Sequence, residues 1–327
     1  MPNISIEVGV SSNLHPPTTD LAVSAHGMRK VYHTRGHPAV EALRGLDLTV
    51  KRGERVALLG RNGAGKTTFL KIASTLLLPT AGTLEIFGLD AVKRPEEVRP
   101  LIAVVPQEGH PFYHLTPWEQ VYTYLRSRGF PRDVARDRTE SALKDMGIFD
   151  IRSQLNVTLS GGQQQRTMVA TVLATEAPLL FLDEPTLGMD PFARRGVWAA
   201  LRKLTDRGST ILLTTHYLDE AESLSQRVYI VEHGHVVAEG TADELKRRVG
   251  GTVRVTMPEA GAHPADYESF GRIMAGDGVL HVITEPRRVS EILNLALSRG
   301  ISPTVGPVTL EEAFLQLVGR AIEEDAR

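Results

Sequence analysis

Hydrophobic and polar positions change rhythm several times along the chain, and each change marks an element. Leu21 to Tyr32, Val40 to Val50 and Arg55 to Gly60 set β-branched and apolar residues between turn signals such as His37-Pro38 and Lys51-Arg52-Gly53-Glu54, and read as strands. Val56-Ala57-Leu58-Leu59 is apolar throughout, as a strand covered on both faces requires. Thr68-Phe69-Leu70-Lys71-Ile72-Ala73 then takes up helical spacing. Gly82 to Gly88 and Leu101 to Gln107 predict further strands. From Thr116 to Met146, Val121, Tyr122, Leu125, Leu143 and Met146 recur among charges at helical intervals. Thr116-Pro117-Trp118-Glu119 supplies an N-cap threonine, a proline at the first helical position and a glutamate at the third. The spacing predicts a helical insert from roughly Glu108 to Asn156.

The second half continues with an apolar helix from Met168 to Ala174, a strand from Leu179 that ends in acids, and a helix over Arg195 to Thr205. Ser209 to Thr215 predicts a buried strand and Asp219 to Leu224 a helix. Arg227 to Glu232 and Val236 to Glu239 predict a hairpin about His233-Gly234, and Asp243 to Val249 a helix. A boundary near Gly250-Gly251 separates a small α+β unit: strands over Thr252 to Met257, Val279 to Thr284 and around Pro303 to Val308, and helices over Val289 to Leu297 and Thr309 to Ala321. No chemical constellation stands out in this last unit, so contact rather than catalysis is its expected role.

Composition narrows the function classes. A chain of 327 residues suits about two domains. Lys and Arg number 37 against 39 Asp and Glu, a net charge of −2, which does not recommend a nucleic-acid partner. With no cysteine, disulfides, thiolate metal sites and a cysteine nucleophile are excluded together, and a cytosolic setting fits. Residues 1–20, rich in Ser, Thr, Asn and Pro, are expected to form a flexible tail rather than a signal peptide. No apolar window approaches the roughly eighteen residues of a membrane span.

The chemistry concentrates at a few places. Gly60-Arg61-Asn62-Gly63-Ala64-Gly65-Lys66-Thr67-Thr68 fits the P-loop pattern in its required context of strand, loop and helix. Its glycines let backbone N–H groups converge on a phosphate at a helix N-terminus. Lys66 would then reach the β- and γ-phosphates and the Thr67 hydroxyl would ligate Mg²⁺, unless the run is only a Gly-rich turn followed by a solvated lysine. Leu159-Ser160-Gly161-Gly162-Gln163 leads into a helix and offers a second anion-facing turn, or simply an N-cap at Ser160. Leu179-Leu180-Phe181-Leu182-Asp183-Glu184-Pro185 sets two carboxylates at the C-terminal end of a buried strand, where open parallel sheets bind ligands. Asp183 would hold Mg²⁺ and Glu184 would orient or deprotonate the attacking water, unless the pair merely opens a loop. His216 ends the strand beyond, either as a structural histidine or facing the γ-phosphate. Tyr32 either stacks on an adenine or closes its strand. Phe112, Tyr113, His114, Leu115 and Trp118 form the insert's own small core or a cleft for a partner's helix.

In one order, the P-loop, Gln107, Leu159 to Gln163, Leu182 to Pro185, Leu187-Gly188-Met189-Asp190 and His216 resemble the ATP-binding subunit of an ABC transporter over residues of about 21 to 250. Pro307 to Leu315 and Leu213 to Glu222 are similar to the daunorubicin-resistance type of exporter ATPase. Two positions depart from that pattern: Gln226, where Asp is common before Arg227, and the run Gln163-Gln164-Gln165-Arg166.

The resemblance implies an α/β P-loop NTPase of ABC ATPase type with an N-terminal antiparallel β subdomain, an inserted helical subdomain and a small C-terminal α+β domain at 251–327. It implies ATP and Mg²⁺, adenine on Tyr32, and phosphates and metal on Gly60, Asn62, Gly63, Ala64, Gly65, Lys66, Thr67 and Thr68. Gln107 would contact Mg²⁺ and the nucleophilic water, Glu184 would be the base and His216 its companion. Ser160, Gly162 and Gln163 would act on the nucleotide of a second copy, with Asp190 carrying information across that interface. The expected partners are a second identical subunit and a separate integral-membrane permease, with no nucleic acid, at the cytoplasmic face of the membrane. Soluble ABC-type ATPases that act on ribosomes or DNA, and nucleotide-binding regulators without hydrolysis, are the alternatives.

Overall fold

The structure is a computed structural model and describes residues 19–325 apart from 277; the tail expected over residues 1–20 lies almost wholly outside the described residues. The chain runs β1 (Leu21–Tyr32), β2 (Val40–Lys51), β3 (Arg55–Leu59), α1 (Lys66–Ala73), β4 (Ala81–Ile86), β5 (Leu89–Asp90), α2 (Pro95–Val98) and β6 (Ile102–Val105). The helices α3 (Pro117–Ser127), α4 (Arg132–Asp145) and α5 (Gly161–Leu173) follow. Next come β7 (Leu179–Asp183), α6 (Pro191–Asp206), β8 (Thr210–Thr215), α7 (Leu218–Leu224), β9 (Arg227–Glu232), β10 (His235–Gly240) and α8 (Ala242–Arg247). The remainder holds β11 (Val253–Pro258), β12 (Arg272–Gly276), β13 (Val279–Thr284), α9 (Val289–Ser298), β14 (Thr304–Pro307) and α10 (Leu310–Asp325).

The central sheet has the order β10-β9-β3-β8-β7-β6, parallel from β9 to β6 with β10 antiparallel at its edge. Its strands read as apolar runs because both faces are covered. Val56, Leu58, Leu179 and Phe181 point into one core with α1 and the antiparallel sheet β2-β1-β4-β5. Their neighbours Ala57, Leu59, Leu180 and Leu182 point into the other, with α3, α4, α5 and α6. Each fully buried Leu or Phe there stabilises the fold by about 1.5–3 kcal/mol. Gln226 serves the fold: its Oε1 accepts from Arg55 N at 2.9 Å, so the amide closes β9 onto β3.

The helix start at Thr116 is a capping box. Thr116 Oγ1 accepts from Glu119 N at 3.2 Å, and Glu119 Oε2 accepts from Thr116 N at 2.9 Å. Arg128 then donates to the carbonyls of Ile102 and Pro100, each at 2.9 Å, and ties the end of α3 to β6.

A third sheet, β12-β13-β11-β14, is antiparallel and covered on one face by α9, with Tyr267, Leu280 and Ile292 fully buried between them. The closing helix α10 packs mainly outside this unit. Its apolar positions Leu310, Ala313, Phe314, Leu317 and Val318 pack against α7, α8, β9 and β10 of the central unit. Ile283 of β13, with Met274 of β12 packed beside it, belongs to the same core, so the core that α10 closes also reaches the small sheet. Glu312, buried at the start of α10, pairs with Arg254 of β11 and links the two units. Donation from Thr309 and Arg254 holds its carboxyl below the usual range against the opposing effect of burial. Among the described residues, no helix is long and apolar enough to cross a membrane.

Candidate functional site

The segments that follow β3, β6 and β7 meet at a cleft of about 330 Å³, which Asp183 and His216 adjoin without lining. Tyr32, residues 62–68, Gln107 and Glu184 line it, joined by Val40 and Ala42 from β2, which no motif in the sequence marks. Chain geometry explains the glycines. A Cβ on Gly60 would stand 2.3 Å from Val231 O, and one on Gly65, at φ 104°, would stand 2.5 Å from Ala42 O. Gly65→Ala is therefore expected to destabilise the protein by about 3 kcal/mol through overpacking and a left-handed backbone. A denaturant melt reads this directly, and a midpoint within experimental scatter of wild type would contradict it.

Lys66 opens α1 and is only 5 % exposed. Its Nζ donates to Gly60 O at 2.8 Å and Arg61 O at 3.0 Å, so the cation lies along the loop's own carbonyls. Burial lowers its pKa, and Glu184, Asp183 and Glu232 oppose that shift by their charge. Thr67 Oγ1 lies 3.1 Å from both Gln107 Oε1 and Asp183 Oδ1, which gathers hydroxyl, amide and carboxylate oxygens at one point. Burial raises the Asp183 pKa, and donation from Thr214 and Thr67 restrains the rise. Oxygen donors of this kind fit a hard divalent cation that keeps waters and shares phosphate oxygens.

Glu184 adopts φ 49°, an uncommon conformation for a side chain of this size. Thr214 holds it there: Glu184 N donates to Thr214 O at 3.2 Å and approaches Thr214 Oγ1 at 3.1 Å. The strained turn directs the carboxylate toward the cleft rather than along the sheet. His216 Nδ1 stands 3.1 Å from Glu184 Oε1, near enough to pair but without hydrogen-bond alignment. Tyr32 lies at the rim, its hydroxyl 3.4 Å from Thr68 Oγ1.

Ser160, Gly162 and Gln163 do not line this cleft. They open α5 through a reciprocal cap, with Gln163 N donating to Ser160 Oγ at 3.3 Å and Ser160 N to Gln163 Oε1 at 2.9 Å. Ser160 and Gly161 are exposed. Asp190 likewise caps α6, accepting from Phe192 N at 2.9 Å and Ala193 N at 3.0 Å, which lowers its pKa. Phe112 is 70 % exposed and Tyr113 is exposed, whereas Trp118 packs into the insert's core. The two outward aromatics adjoin Leu155 and Val157, also exposed, through Val157 N donating to Tyr113 O at 3.2 Å.

Residues 43–187 match the family described as ABC transporter. The chain is 36 % identical over 319 residues to the daunorubicin/doxorubicin resistance ATP-binding protein DrrA of Streptomyces peucetius, across 93 % of this chain and 94 % of that protein. It is 40 % identical over 329 residues to the daunorubicin resistance ATP-binding protein DrrA3 of Streptomyces coeruleorubidus, across 94 % and 99 %. A solved ATP-binding cassette, dimeric and bound to ADP and Pi in a post-hydrolysis state, superposes with a TM-score of 0.63 at 28 % identity, over 67 % of this chain and 98 % of that one. A P-loop cleft with acids at the end of β7, together with relatives that run nearly the whole length, leads to one conclusion: the chain belongs to the ABC transporter family, as an ATP-binding and ATP-hydrolysing subunit.

Proposed function

We propose that two copies of the chain close head to tail over two ATP molecules, each cleft capped by Ser160, Gly162 and Gln163 of the other copy. The observation that carries this reading is the split between the two phosphate-facing turns: the P-loop lines the cleft, and the exposed N-terminus of α5 contributes nothing to it. That terminus presents the positive end of a helix dipole outward, which suits a phosphate arriving on another molecule. The negative charge of ATP between half-sites favours closure, and loss of phosphate favours opening.

Within each cleft, Tyr32 with Val40 would receive the base, and Lys66 with the loop N–H groups the phosphates. Thr67, Gln107 and Asp183 would hold Mg²⁺, which when bound neutralises charge across the β- and γ-phosphates. Glu184 would accept the proton of the attacking water while His216 fixes the carboxylate and the γ-phosphate side. Asp190, capping α6 in the loop after the acids, would report on the partner copy.

Residues 21–250 would act as the ATPase domain and 251–327 as an accessory unit. Coupling would pass through the exposed patch of Phe112, Tyr113, Leu155 and Val157, placed between Gln107 and Ser160 in the chain, where a short helix of a separate permease would dock. The subunit would then sit at the cytoplasmic face of the membrane. Relatives named for daunorubicin and doxorubicin resistance support export of compounds of that class, with selection left to the permease. They favour transport over the ribosome or DNA reading.

A mixing experiment tests the shared site. Ser160→Arg protein and Lys66→Ala protein are each expected to be nearly inactive. Mixed in equal amounts they should recover roughly a quarter of wild-type ATPase activity, because half the dimers then carry one intact composite site. No recovery on mixing would place both residues on the same nucleotide and sink the proposal.

A further inference from the structure

We infer that Glu220 is a positioning residue for ATP hydrolysis, binding the loop after Glu184 to the turn at His216 so that the two side chains keep one relative geometry. The inference rests on the reading of Glu184 and His216 as the hydrolytic pair. Glu220 lies on α7 and is fully buried. Its Oε1 accepts from Thr186 Oγ1 at 2.9 Å and from Trp198 Nε1 at 3.1 Å, and its Oε2 is buried without a hydrogen-bond partner. Thr186 follows Glu184 by two residues, Glu220 itself sits on α7, which begins two residues after His216, and Trp198 belongs to α6, which begins after Asp190. One carboxyl therefore gathers the three segments that carry the proposed base, its companion and the loop toward the partner copy.

Packing alone does not call for an acid here. Ala221 and Leu224 bury the same helix in the core without polar atoms, and an apolar residue at 220 would avoid the desolvation of a carboxyl. Burial pushes the Glu220 pKa up, and the donors from Thr186 and Trp198 pull against that rise. Such a bonded carboxyl contributes more to order than to net stability.

A second tether spans the same two loops from outside. Arg194 of α6 approaches Met189 O with Nε at 3.4 Å, lies over the Tyr217 ring at 4.2 Å and reaches Asp219 at 3.5 Å. Tyr217 in turn stacks obliquely on His216, with ring centroids 4.2 Å apart. Glu184 and His216 are near each other without an aligned hydrogen bond between them, so their separation is set by what stands behind each. Glu220 stands behind both.

The test compares Glu220→Leu, Glu220→Gln and Glu184→Gln in the full chain, measuring kcat and KM for Mg-ATP with thermal melting. Glu220→Gln retains an acceptor for Thr186 and Trp198 and should stay within about 3-fold of wild-type kcat. Glu220→Leu should lose about 10- to 100-fold in kcat with KM within about 2-fold. If Glu220→Leu does not fold, Thr186→Val replaces it, with an expected loss of about 10-fold in kcat at unchanged KM. A folded leucine or valine variant at wild-type kcat overturns the inference. So does an equal loss in the leucine and glutamine variants, or a loss that appears in KM instead. Should Glu184→Gln itself turn over normally, the reading of the site fails rather than the role of Glu220.

Discussion

Glu184→Gln is expected to lower kcat for ATP by roughly 10²–10⁴ while leaving nucleotide binding nearly intact. Glutamine keeps the size of the side chain, and the backbone at φ 49° is held by Thr214 through main-chain donation that the substitution does not touch. The loss is confined to the basic oxygen that would take the water's proton. Steady-state turnover paired with equilibrium binding of a fluorescent ATP analogue separates the two effects. A variant within 10-fold of wild-type kcat would remove Glu184 from the role of base and shift attention to Gln107 and His216 as water-orienting groups.

Lys66→Ala should cost roughly 10²–10³ in kcat/KM, the usual scale for removing one preorganised donor from a developing oxyanion. The ammonium is almost fully buried and reaches the cleft only along the loop. Its removal also leaves Glu184, Asp183 and Glu232 without the cation that they face, so like-charge repulsion at the end of the sheet adds to the loss. Lys66→Arg is expected to be little better, because a planar guanidinium does not fit a slot built for a compact ammonium. An arginine variant with wild-type kcat/KM would show that charge alone is what the cleft requires.

Much of this site is local in sequence and therefore legible there. The P-loop needs only consecutive residues, and the strand Leu179–Asp183 announces its burial on both faces by having no polar alternation. The same holds for Thr116 and Glu119, whose reciprocal cap depends on spacing within one helical turn. What joins distant segments was not legible. Thr67 meets Asp183 across 116 residues of chain, and nothing in the strand containing Thr214 marks it as the anchor of both acids. Glu220 reads as one more charge on a short helix, although its side chain is buried. The strand Arg272–Gly276 leaves no mark in the sequence because it lies at a sheet edge with no buried alternation to reveal it. The apolar stripe of α10 predicts a helix but not its partner, which is mainly the central unit.

If a second copy completes each cleft, one chain holds only half of a working site. Light scattering on Glu184→Gln protein, with and without Mg-ATP, tests it most directly, since this variant should bind ATP and stall before the dimer reopens. The expected result is the mass of one chain, 35.8 kDa, without nucleotide and twice that mass with it. A single-chain mass with ATP demonstrably bound would contradict it.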